Sequence, residues 1–380
     1  MRISCFRQRP DQIRDYLAAV SLHSHTNHSK EGLQFIPYFA EKHSLLRWAF
    51  ERQCKKSRIP VDFERAYWTP PLTAELSYEV ESGQIENVLG MASLVSLTDH
   101  DSIAAPTLLR ELPEKRKIPF SLEWSVPYGG ALFHLGIHNL PEERAVEITE
   151  ELAAYTKDPR DQLLRELLAT LDRNPEILVV FNHPLWDLGH VGLRYREIVL
   201  AFLGRHGSFI HALEINAIRE WPENVRIIDL AERFHLPVVS GGDRHGCQPS
   251  GILNLTRTTS FPEFVGELRI QRLSHVLVMP QYAEPRWVHV TRVLLDTIRE
   301  YPEYPLGSRR WDNRVFHLSP NTNDYRPIST LWKAPPAFIE VIFSALSLLD
   351  NRAVQRAVAY IARDRPEEQV LAGADYGVTW

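Results

Sequence analysis

The chain has 380 residues, of which 44% are hydrophobic and 24% are charged, a composition that excludes a disordered or fibrous chain. Its net charge of −5 gives no overall basic field for binding long nucleic acid. Three widely spaced cysteines without a CxxC pair indicate a reducing compartment, and we see neither a secretory leader nor an apolar run of about 18 residues. The sequence therefore predicts a soluble, cytoplasmic protein of two to three domains, or one barrel with an appendage.

Short apolar runs that end in polar residues recur along the chain, as is typical of strands buried on both faces of a parallel sheet. These runs cover residues 92–97, 177–181, 212–216 and 237–240. Stretches of helical length with apolar residues at helical spacing cover residues 143–156, 159–173, 191–205 and 222–235. Alternating strands and helices predict a parallel α/β fold with its chemistry at the carboxyl ends of the strands.

Two segments interrupt this alternation. Residues 33–70 contain eight aromatic residues and seven Lys or Arg against four Asp or Glu, and their pattern predicts mainly helix. The chain from residue 285 onward is rich in proline and aromatic residues and contains two helical stretches. We therefore expect one domain over residues 1–284, with 33–70 as an insert, and a mostly helical extension over residues 285–380.

Sixteen histidines are present, and several lie in pairs or beside acidic residues at the predicted strand ends. An HxH pair on a strand, such as His23 and His25, places both imidazoles on one face. Two imidazoles and a carboxylate suit zinc, manganese or iron, and two ions that share an acidic ligand can clamp a phosphate. The candidates in chain order are His23, His25, Asp99, His100, Glu123, His134, His183, Asp243 and His245. Because separate strand ends each supply such residues, the set predicts a metal site.

The order and spacing of these motifs resemble the PHP (polymerase and histidinol phosphatase) domain over roughly residues 20–250. LHSHT at residues 22–26 resembles its opening HxH motif, and LTDHD at residues 97–101 resembles its TDH motif. NHP at residues 182–184 is similar to its third motif, and SGGDRHG at residues 240–246 is similar to its closing SGxDxH motif.

Two further residues extend the resemblance: Glu123 and His134 are eleven residues apart, as are the family's bridging glutamate and its HxLG stretch. The resemblance implies a distorted (β/α)7 barrel that holds two or three divalent ions (Mn, Zn or Fe) at its rim. It assigns His23, His25, Glu123 and Asp243 to one ion, Glu123, His134 and His183 to a second, and His100, His245 and one residue after the HxH motif to a third.

The residue after the HxH motif is the main departure from the family. The family often has Ser-Asp-Gly there, whereas this chain has HSKEG at residues 28–32. Either His28 or Glu31 fits the position, and we slightly prefer His28. His138 is a rival to His134 because it lies on the same strand face, but the HxLG pattern favours His134.

The neighbours of these candidates are expected to have other roles. Asp99 and Asp101 would accept hydrogen bonds from ligand imidazoles. Arg244 and Lys30 would contact a phosphate, since cations complement its oxygens. Cys247 would be a small buried residue rather than a thiolate ligand.

The insert has two interpretations. It could cap the site and supply Trp48, Tyr67 and Trp68 for stacking on a base. Alternatively, it is a helical pair that packs its aromatic side chains on the barrel.

The predicted function is hydrolysis of a phosphate ester, either a phosphomonoester or a nucleotide or short oligonucleotide, by a metal-activated hydroxide. His100, His245 and Asp243 are the predicted catalytic residues, with protonated His100, protonated His245 or a metal-bound water serving the leaving oxygen. The expected partner is a small phosphorylated substrate, and we expect no association with a membrane.

Two alternatives remain open. One is an amidohydrolase-like enzyme that cuts a C–N or carboxyl ester bond, although we find no lysine at a middle strand end. The other is a non-catalytic PHP module, which the nearly complete ligand set disfavours. The sequence does not indicate the oligomeric state.

Overall fold

A computed structural model describes residues 2–5, 13–34, 61–186, 192–319, 322–332 and 336–362, together with Trp48, Arg52 and Lys55. The strands are β1 (Arg2–Cys5), β2 (Ala18–Leu22), β3 (Glu31–Gly32), β4 (Tyr67–Trp68), β5 (Ala92–Ser96), β6 (Phe120–Tyr128), β7 (Ala131–Leu140), β8 (Leu178–Asn182), β9 (Ala212–Asn216), β10 (Val238–Gly241), β11 (Ile252–Thr256), β12 (His275–Val278), β13 (Val315–Leu318) and β14 (Tyr325–Pro327). The helices are α1 (Ala74–Gln84), α2 (Ala104–Arg110), α3 (Ala145–Lys157), α4 (Asp161–Arg173), α5 (Leu193–His206), α6 (Trp221–Phe234), α7 (Phe261–Arg269), α8 (Arg286–Ile298), α9 (Trp311–Arg314), α10 (Ala337–Leu349) and α11 (Arg352–Ala362).

The elements predicted from the apolar runs are confirmed. The four runs correspond to β5, β8, β9 and β10, and the four helical stretches correspond to α3, α4, α5 and α6. In the described part of the chain, no helix is both long and apolar enough to cross a membrane.

Hydrogen bonds divide the strands into two sheets of five and one sheet of four. The strand orders are β1-β12-β11-β2-β5, β10-β9-β8-β7-β6 and β14-β13-β4-β3. Both large sheets mix parallel and antiparallel pairs, so the fold is mixed α/β rather than the predicted parallel α/β. One reason is a tight hairpin between β6 and β7, where Gly129 and Gly130 have φ of 60° and 85°. Glycine adopts these left-handed angles without the steric cost that other residues pay, which allows a two-residue turn.

The predicted closed barrel is not confirmed, because single bridges rather than strand ladders connect the two large sheets. Ser24 pairs with Arg244 beyond the ends of β2 and β10, and His100 pairs with Glu123 between the end of β5 and β6. The Gly242 amide also donates to the Leu22 carbonyl at 2.8 Å. The two large sheets therefore meet at one rim, where β2, β5 and β10 end, without a continuous ring of ladders.

The largest apolar core lies between the second sheet and the helices that follow its strands. In α4 the buried residues recur at helical spacing and face that sheet: Leu164, Leu167, Leu168 and Leu171. Burial of each leucine side chain stabilises the fold by about 1.5–3 kcal/mol. This core holds the second sheet, and with it the strand ends that carry the polar rim.

The insert and the C-terminal region share the third sheet. β4 pairs antiparallel with β3 on one side and with β13 on the other, and β13 pairs with β14. Leu33 and Ala66 from the insert side are buried with Trp311 and Trp332 from the C-terminal region. Tyr67–Trp68 is therefore a strand rather than part of a helix, because β13 supplies its backbone partners. Residues 35–60, apart from the three named above, lie outside the described residues, so the helix prediction there stays a prediction.

Candidate metal centre

Imidazole and carboxylate side chains converge at the rim where the two large sheets meet. His23 and His25 follow β2, and the remaining members come from or follow other strands. We call the set the rim cluster, which comprises His23, His25, Glu31, His100, Glu123, His134, His183, Asp243 and His245. The structure thus brings together eight of the nine sequence-predicted ligands, with Glu31 in place of His28.

Four groups of three side chains within the rim cluster could each hold a metal ion. In each group the ligand atoms lie within 4.8 Å of one another. The groups are His23/His25/Glu123, His23/His183/Asp243, His25/Glu31/His245 and His100/Glu123/His134. Because three residues each belong to two groups, neighbouring ions would share ligands.

Glu123 lies at the centre of the rim cluster, with 1% of its side chain exposed. Its carboxylate oxygens lie 3.1–3.5 Å from nitrogens of His23, His25, His100, His134 and His183. Burial would raise the pKa of this carboxyl group, but the surrounding imidazoles outweigh burial and hold the pKa well below its usual range. Glu123 is therefore an ionised carboxylate that can bridge two cations.

Glu31 occupies the position for which the sequence left two choices. One carboxylate oxygen lies 3.1 Å from His245 Nε2 and 3.4 Å from His100 Nε2, and Ser29 Oγ donates to the other at 2.6 Å. His28 is half-buried and belongs to none of the four groups. The geometry favours Glu31 over the preferred His28, because the chain turns at residues 27–28 and β3 begins at Glu31.

The donor set fits divalent ions. Buried Nδ1 atoms of His100, His134 and His183 make no hydrogen bond within the described part of the structure. Leaving such an atom unpaired costs about 1–3 kcal/mol, which a bound cation would remove. Burial lowers the pKa of His25 to about 4 and that of His134 to about 3, so these two imidazoles are neutral, as metal ligands must be. Burial would also lower the pKa of His100 and His245, but the neighbouring Glu31 carboxylate instead raises the pKa of His100 to about 10 and that of His245 to about 9, so these two imidazoles hold a proton unless an ion displaces it. Neutral imidazoles with ionised carboxylates are suitable ligands for zinc, manganese and iron.

Exposure separates a buried inner part of the cluster from an open edge. The His23 and His25 side chains are fully buried. The open edge consists of Glu31, His134, His100 and His245, whose side chains are 11%, 13%, 15% and 18% exposed. A substrate can reach the cluster from this edge.

Three cluster residues have left-handed backbone conformations, with φ of 64° at His23, 28° at His183 and 46° at Asp243. Each such position costs about 1–3 kcal/mol and persists only where its surroundings hold it. Turn hydrogen bonds hold these positions, including Trp186 N to the His183 carbonyl at 2.9 Å. The strain accompanies the sharp turns at which ligand side chains leave their strands.

Glu214 supports the cluster and was not singled out from the sequence. Its carboxylate lies 2.6 Å from His23 Nδ1, so the Nδ1–H donates to it and leaves Nε2 for an ion. A Cβ at Gly241 would lie 1.9 Å from the same carboxylate, so residue 241 must lack a side chain. The available signal was one carboxylate in the buried strand β9 (ALEIN).

Arg244 is buried and partnered within the protein, so its predicted phosphate contact has no support in this geometry. The side chain is 4% exposed, and Nε donates to Glu81 at 2.7 Å. Its remaining donors bind the Gly246 and His25 carbonyls and Ser77. These partners hold the Arg244 guanidinium away from the cluster side chains of Asp243 and His245.

The structure does not bring Lys30 into the rim cluster. Its ammonium lies 5.5 Å from the centre of the Tyr67 ring. Lys30 precedes Glu31, whose side chain points into the cluster, so alternation directs Lys30 to the opposite face of the small sheet. Its predicted phosphate contact has no support in this geometry.

Two indole rings contact the rim cluster. Trp68 lies with its ring centroid 6.0 Å from that of His245, and Trp186 stacks on His134 at 5.6 Å with 13° between the planes. Tyr67 stacks instead on Phe316 on the other face of β4, and Trp48 is an exposed residue beside Arg52. Of the three aromatic candidates, the structure therefore places Trp68 at the cluster. Trp186 was missed, although it lies only two residues after the NHP motif.

The remaining candidates have structural partners. Asp99 accepts hydrogen bonds from Thr26 N and Oγ1 at 2.6 and 2.7 Å, and Asp101 accepts one from Ser125 N at 2.8 Å, rather than from imidazoles as predicted. His138 bonds to Ser96 and belongs to none of the four groups.

Cys247 lies 3.2 Å from the Tyr301 hydroxyl, and burial raises the pKa of its thiol to about 11. The residue is therefore a neutral thiol, and it is partly exposed rather than buried as expected from the sequence.

Comparisons with known proteins do not assign the chain to a family. No family model and no curated protein matches it. A solved structure from Bifidobacterium adolescentis, assigned as a metal-dependent phosphoesterase, covers 52% of this chain and 91% of its own at 15% identity and a TM-score of 0.31. PsfC from Pseudomonas syringae covers 72% and 95% at 15% identity and a TM-score of 0.36.

An amidohydrolase from Chromobacterium violaceum, solved with sulfate and no metal, covers 59% of this chain and 92% of its own. Its identity is 16% and its TM-score 0.30. Likenesses of this size carry no argument about the activity of this chain.

Proposed function

We propose that this protein is a metal-dependent phosphoesterase with a PHP-type site. The observation that carries the proposal is the rim cluster itself. Its four ligand groups overlap, because Glu123, His23 and His25 each belong to two of them. Adjoining cations suit a phosphate ester because two ions can bind its oxygens and stabilise the charge that develops as the bond breaks. The open edge supplies the approach that such a substrate needs.

The rim cluster would hold the ions: two ions need only the groups His23/His25/Glu123 and His23/His183/Asp243, which leaves His100 and His245 free to carry protons. Bound divalent ions would supply Lewis acidity toward the phosphate and would lower the pKa of a water molecule. Neighbouring residues fix the ligands: Glu214 orients His23, and Ser29 orients Glu31. Such outer contacts hold imidazoles and carboxylates in the geometry that an ion requires.

His100 and His245 remain the proposed proton donors to the leaving oxygen. Both lie at the open edge, and both contact Glu31 through Nε2. An imidazole in this position can hold or give a proton to the departing group within hydrogen-bond reach. Asp243, 7% exposed, lies deeper in the cluster and remains a proposed catalytic ligand.

The test is to purify the full chain without chelator, count its bound metals, and measure phosphate release from p-nitrophenyl phosphate and nucleotides with added manganese or zinc. Asp243→Asn and Glu31→Gln, which preserve side-chain size, should each reduce the rate at least roughly a hundredfold and lower the metal content. His28→Gln is the matched control, because His28 is close in sequence but belongs to none of the ligand groups.

Two or three ions per chain, with His28→Gln behaving like the wild type, would support the proposal. A chain that binds no divalent ion would contradict it. Stoichiometric metal with cleavage of only C–N or carboxyl ester bonds would replace it with the amidohydrolase-like alternative.

A further inference from the structure

A row of ring contacts crosses the rim cluster and ends in an indole at each side. The successive rings are those of Trp68, His245, His25, His100, His134 and Trp186. In this order, the centroids of neighbouring rings lie 6.0, 4.3, 5.0, 4.8 and 5.6 Å apart. Three of the four imidazoles in this row belong to the open edge. The edge that a substrate approaches is therefore bounded by two tryptophans.

The two tryptophans differ in how their rings are held. Trp186 lies parallel to His134, is edge-on to His183, and donates Nε1 to the Leu132 carbonyl at 3.4 Å. It therefore supports the imidazoles on its side. Trp68 is tilted by 38° from His245 and is half-buried, so part of the residue is open to solvent beside the cluster.

The small sheet fixes Trp68 beside a ligand. In the β3–β4 register Trp68 pairs with Glu31, and in the β4–β13 register it pairs with Val315. Directly paired residues project from the same face of a sheet, with Cβ atoms about 4.5–5.5 Å apart. Because the Glu31 carboxylate belongs to the rim cluster, Trp68 extends over the same side.

The backbone next to Trp68 is well anchored. Thr69 N donates to the Arg314 carbonyl at 2.9 Å. The buried Arg314 guanidinium in turn donates to the carbonyls of Thr297, Arg299, Ser308 and Arg309. Trp68 also packs against the apolar cluster beneath the small sheet. A rigidly placed aromatic ring binds a planar group with little loss of side-chain freedom.

We propose that Trp68 stacks on a planar aromatic group of the substrate, so that the substrate is a phosphate ester carrying a flat ring, of the nucleotide class. The inference rests on the proposed function, since a phosphate bound by ions at the open edge would have its organic group within reach of Trp68, whose ring lies 6.0 Å from that of His245. Stacking of a base on an aromatic side chain changes affinity by roughly five- to a hundredfold. Glycerol phosphate, which has no ring, gains nothing from it.

The test compares kcat/KM for AMP and for glycerol 3-phosphate with the manganese-loaded full chain. Trp68→Leu should lower the AMP-to-glycerol-phosphate ratio on the order of tenfold, and Trp68→Phe should retain most of the ratio. Tyr325→Leu is the matched control, because Tyr325 contacts Tyr67 on the opposite face of the same small sheet. An equal loss on both substrates in Trp68→Leu would overturn the inference, since it would show a merely structural role.

A binding measurement separates this inference from the proposed function. Calorimetric titration with AMP and with ribose 5-phosphate should show tighter AMP binding that Trp68→Leu removes. If the wild type hydrolyses no phosphate ester but keeps this difference, the proposed function fails and the stacking site stands. If AMP and ribose 5-phosphate bind equally to the wild type, the stacking site is wrong whatever the activity.

Discussion

Two buried histidines at opposite ends of the neighbouring strands β8 and β9 show how a ligand differs from a structural residue. His183 follows β8 at the rim, and its Nδ1 has no hydrogen-bond partner among the described residues. His211 precedes β9 at the other end, where Nδ1 accepts from Val179 N at 2.8 Å and Nε2 lies 2.9 Å from Asp172. Asp172 is itself paired with Arg269.

The difference lies in how the polar atoms are partnered. At His211 each nitrogen has its own partner, so the site is complete without a ligand. In the rim cluster several imidazoles converge on one carboxylate, Glu123, and leave nitrogens unpaired. A cation would complete the rim cluster, whereas nothing is missing around His211.

The largest expected effect concerns Arg244. It lies between two residues of the rim cluster, Asp243 and His245, but its polar atoms have partners within the protein, as those of His211 do. Arg244→Met would leave Glu81 as an uncompensated buried carboxylate, so we expect a loss of about 3–5 kcal/mol in the free energy of unfolding. Denaturant unfolding measures this loss. The KM for a phosphate ester should change little by comparison, because the guanidinium points away from the cluster.

The control for Arg244 is the double variant Arg244→Met/Glu81→Met, which removes both charges and should recover much of the stability. If Arg244→Met instead raised KM and left stability intact, the interpretation of Arg244 as a structural residue would be wrong.

The sequence predicted what depends on local periodicity and order along the chain. The strands β5, β8, β9 and β10 appear as short apolar runs, and four of the nine residues of the rim cluster follow them: His100, His183, Asp243 and His245. It did not predict what depends on distant partners. Glu214 bonds to His23 across 191 residues and Arg244 to Glu81 across 163, and no local pattern encodes either contact.

The geometry favours Glu31 over the preferred His28 for a related reason. A turn and the pairing of Glu31 with Trp68 decide which side chain enters the cluster. The sheet connectivity likewise depends on a glycine hairpin and on two single bridges between sheets. Strand and helix alternation alone does not determine such connections.

His211 itself gives a pH dependence of intermediate size. Burial lowers the pKa of His211 to about 4, whereas an unfolded histidine has a pKa of about 6.5. The folded state therefore favours the neutral imidazole, so this contribution is fully present above pH about 6.5 and is lost as the pH falls toward 4. The loss amounts to roughly 3 kcal/mol in the free energy of unfolding.

The variant His211→Asn tests this pH dependence, because its Oδ1 can still accept from Val179 N while the titrating group is gone. Denaturant unfolding between pH 4 and pH 7 should show a shallower pH dependence in the variant than in the wild type. Metal content should be unchanged, since His211 lies away from the rim cluster. Identical slopes in the two proteins would contradict the assignment.

The smallest expected effect is at Glu214. This carboxylate is the hydrogen-bond partner of His23 in the rim cluster, as Asp172 is the partner of His211. Glu214→Gln keeps the side-chain size but weakens the acceptor for the His23 Nδ1–H, so metal affinity should fall about 10- to 100-fold while the chain stays folded. Competition with a chelator of known affinity measures this change without relying on turnover.

Glu267→Gln is the matched control, since Glu267 accepts hydrogen bonds from Thr256 and Arg257 away from the cluster. Gly241→Ala should reproduce the loss, because its Cβ would displace the Glu214 carboxylate. Unchanged metal affinity in both variants would show that His23 needs no such partner and that convergence of the nitrogens alone makes the site.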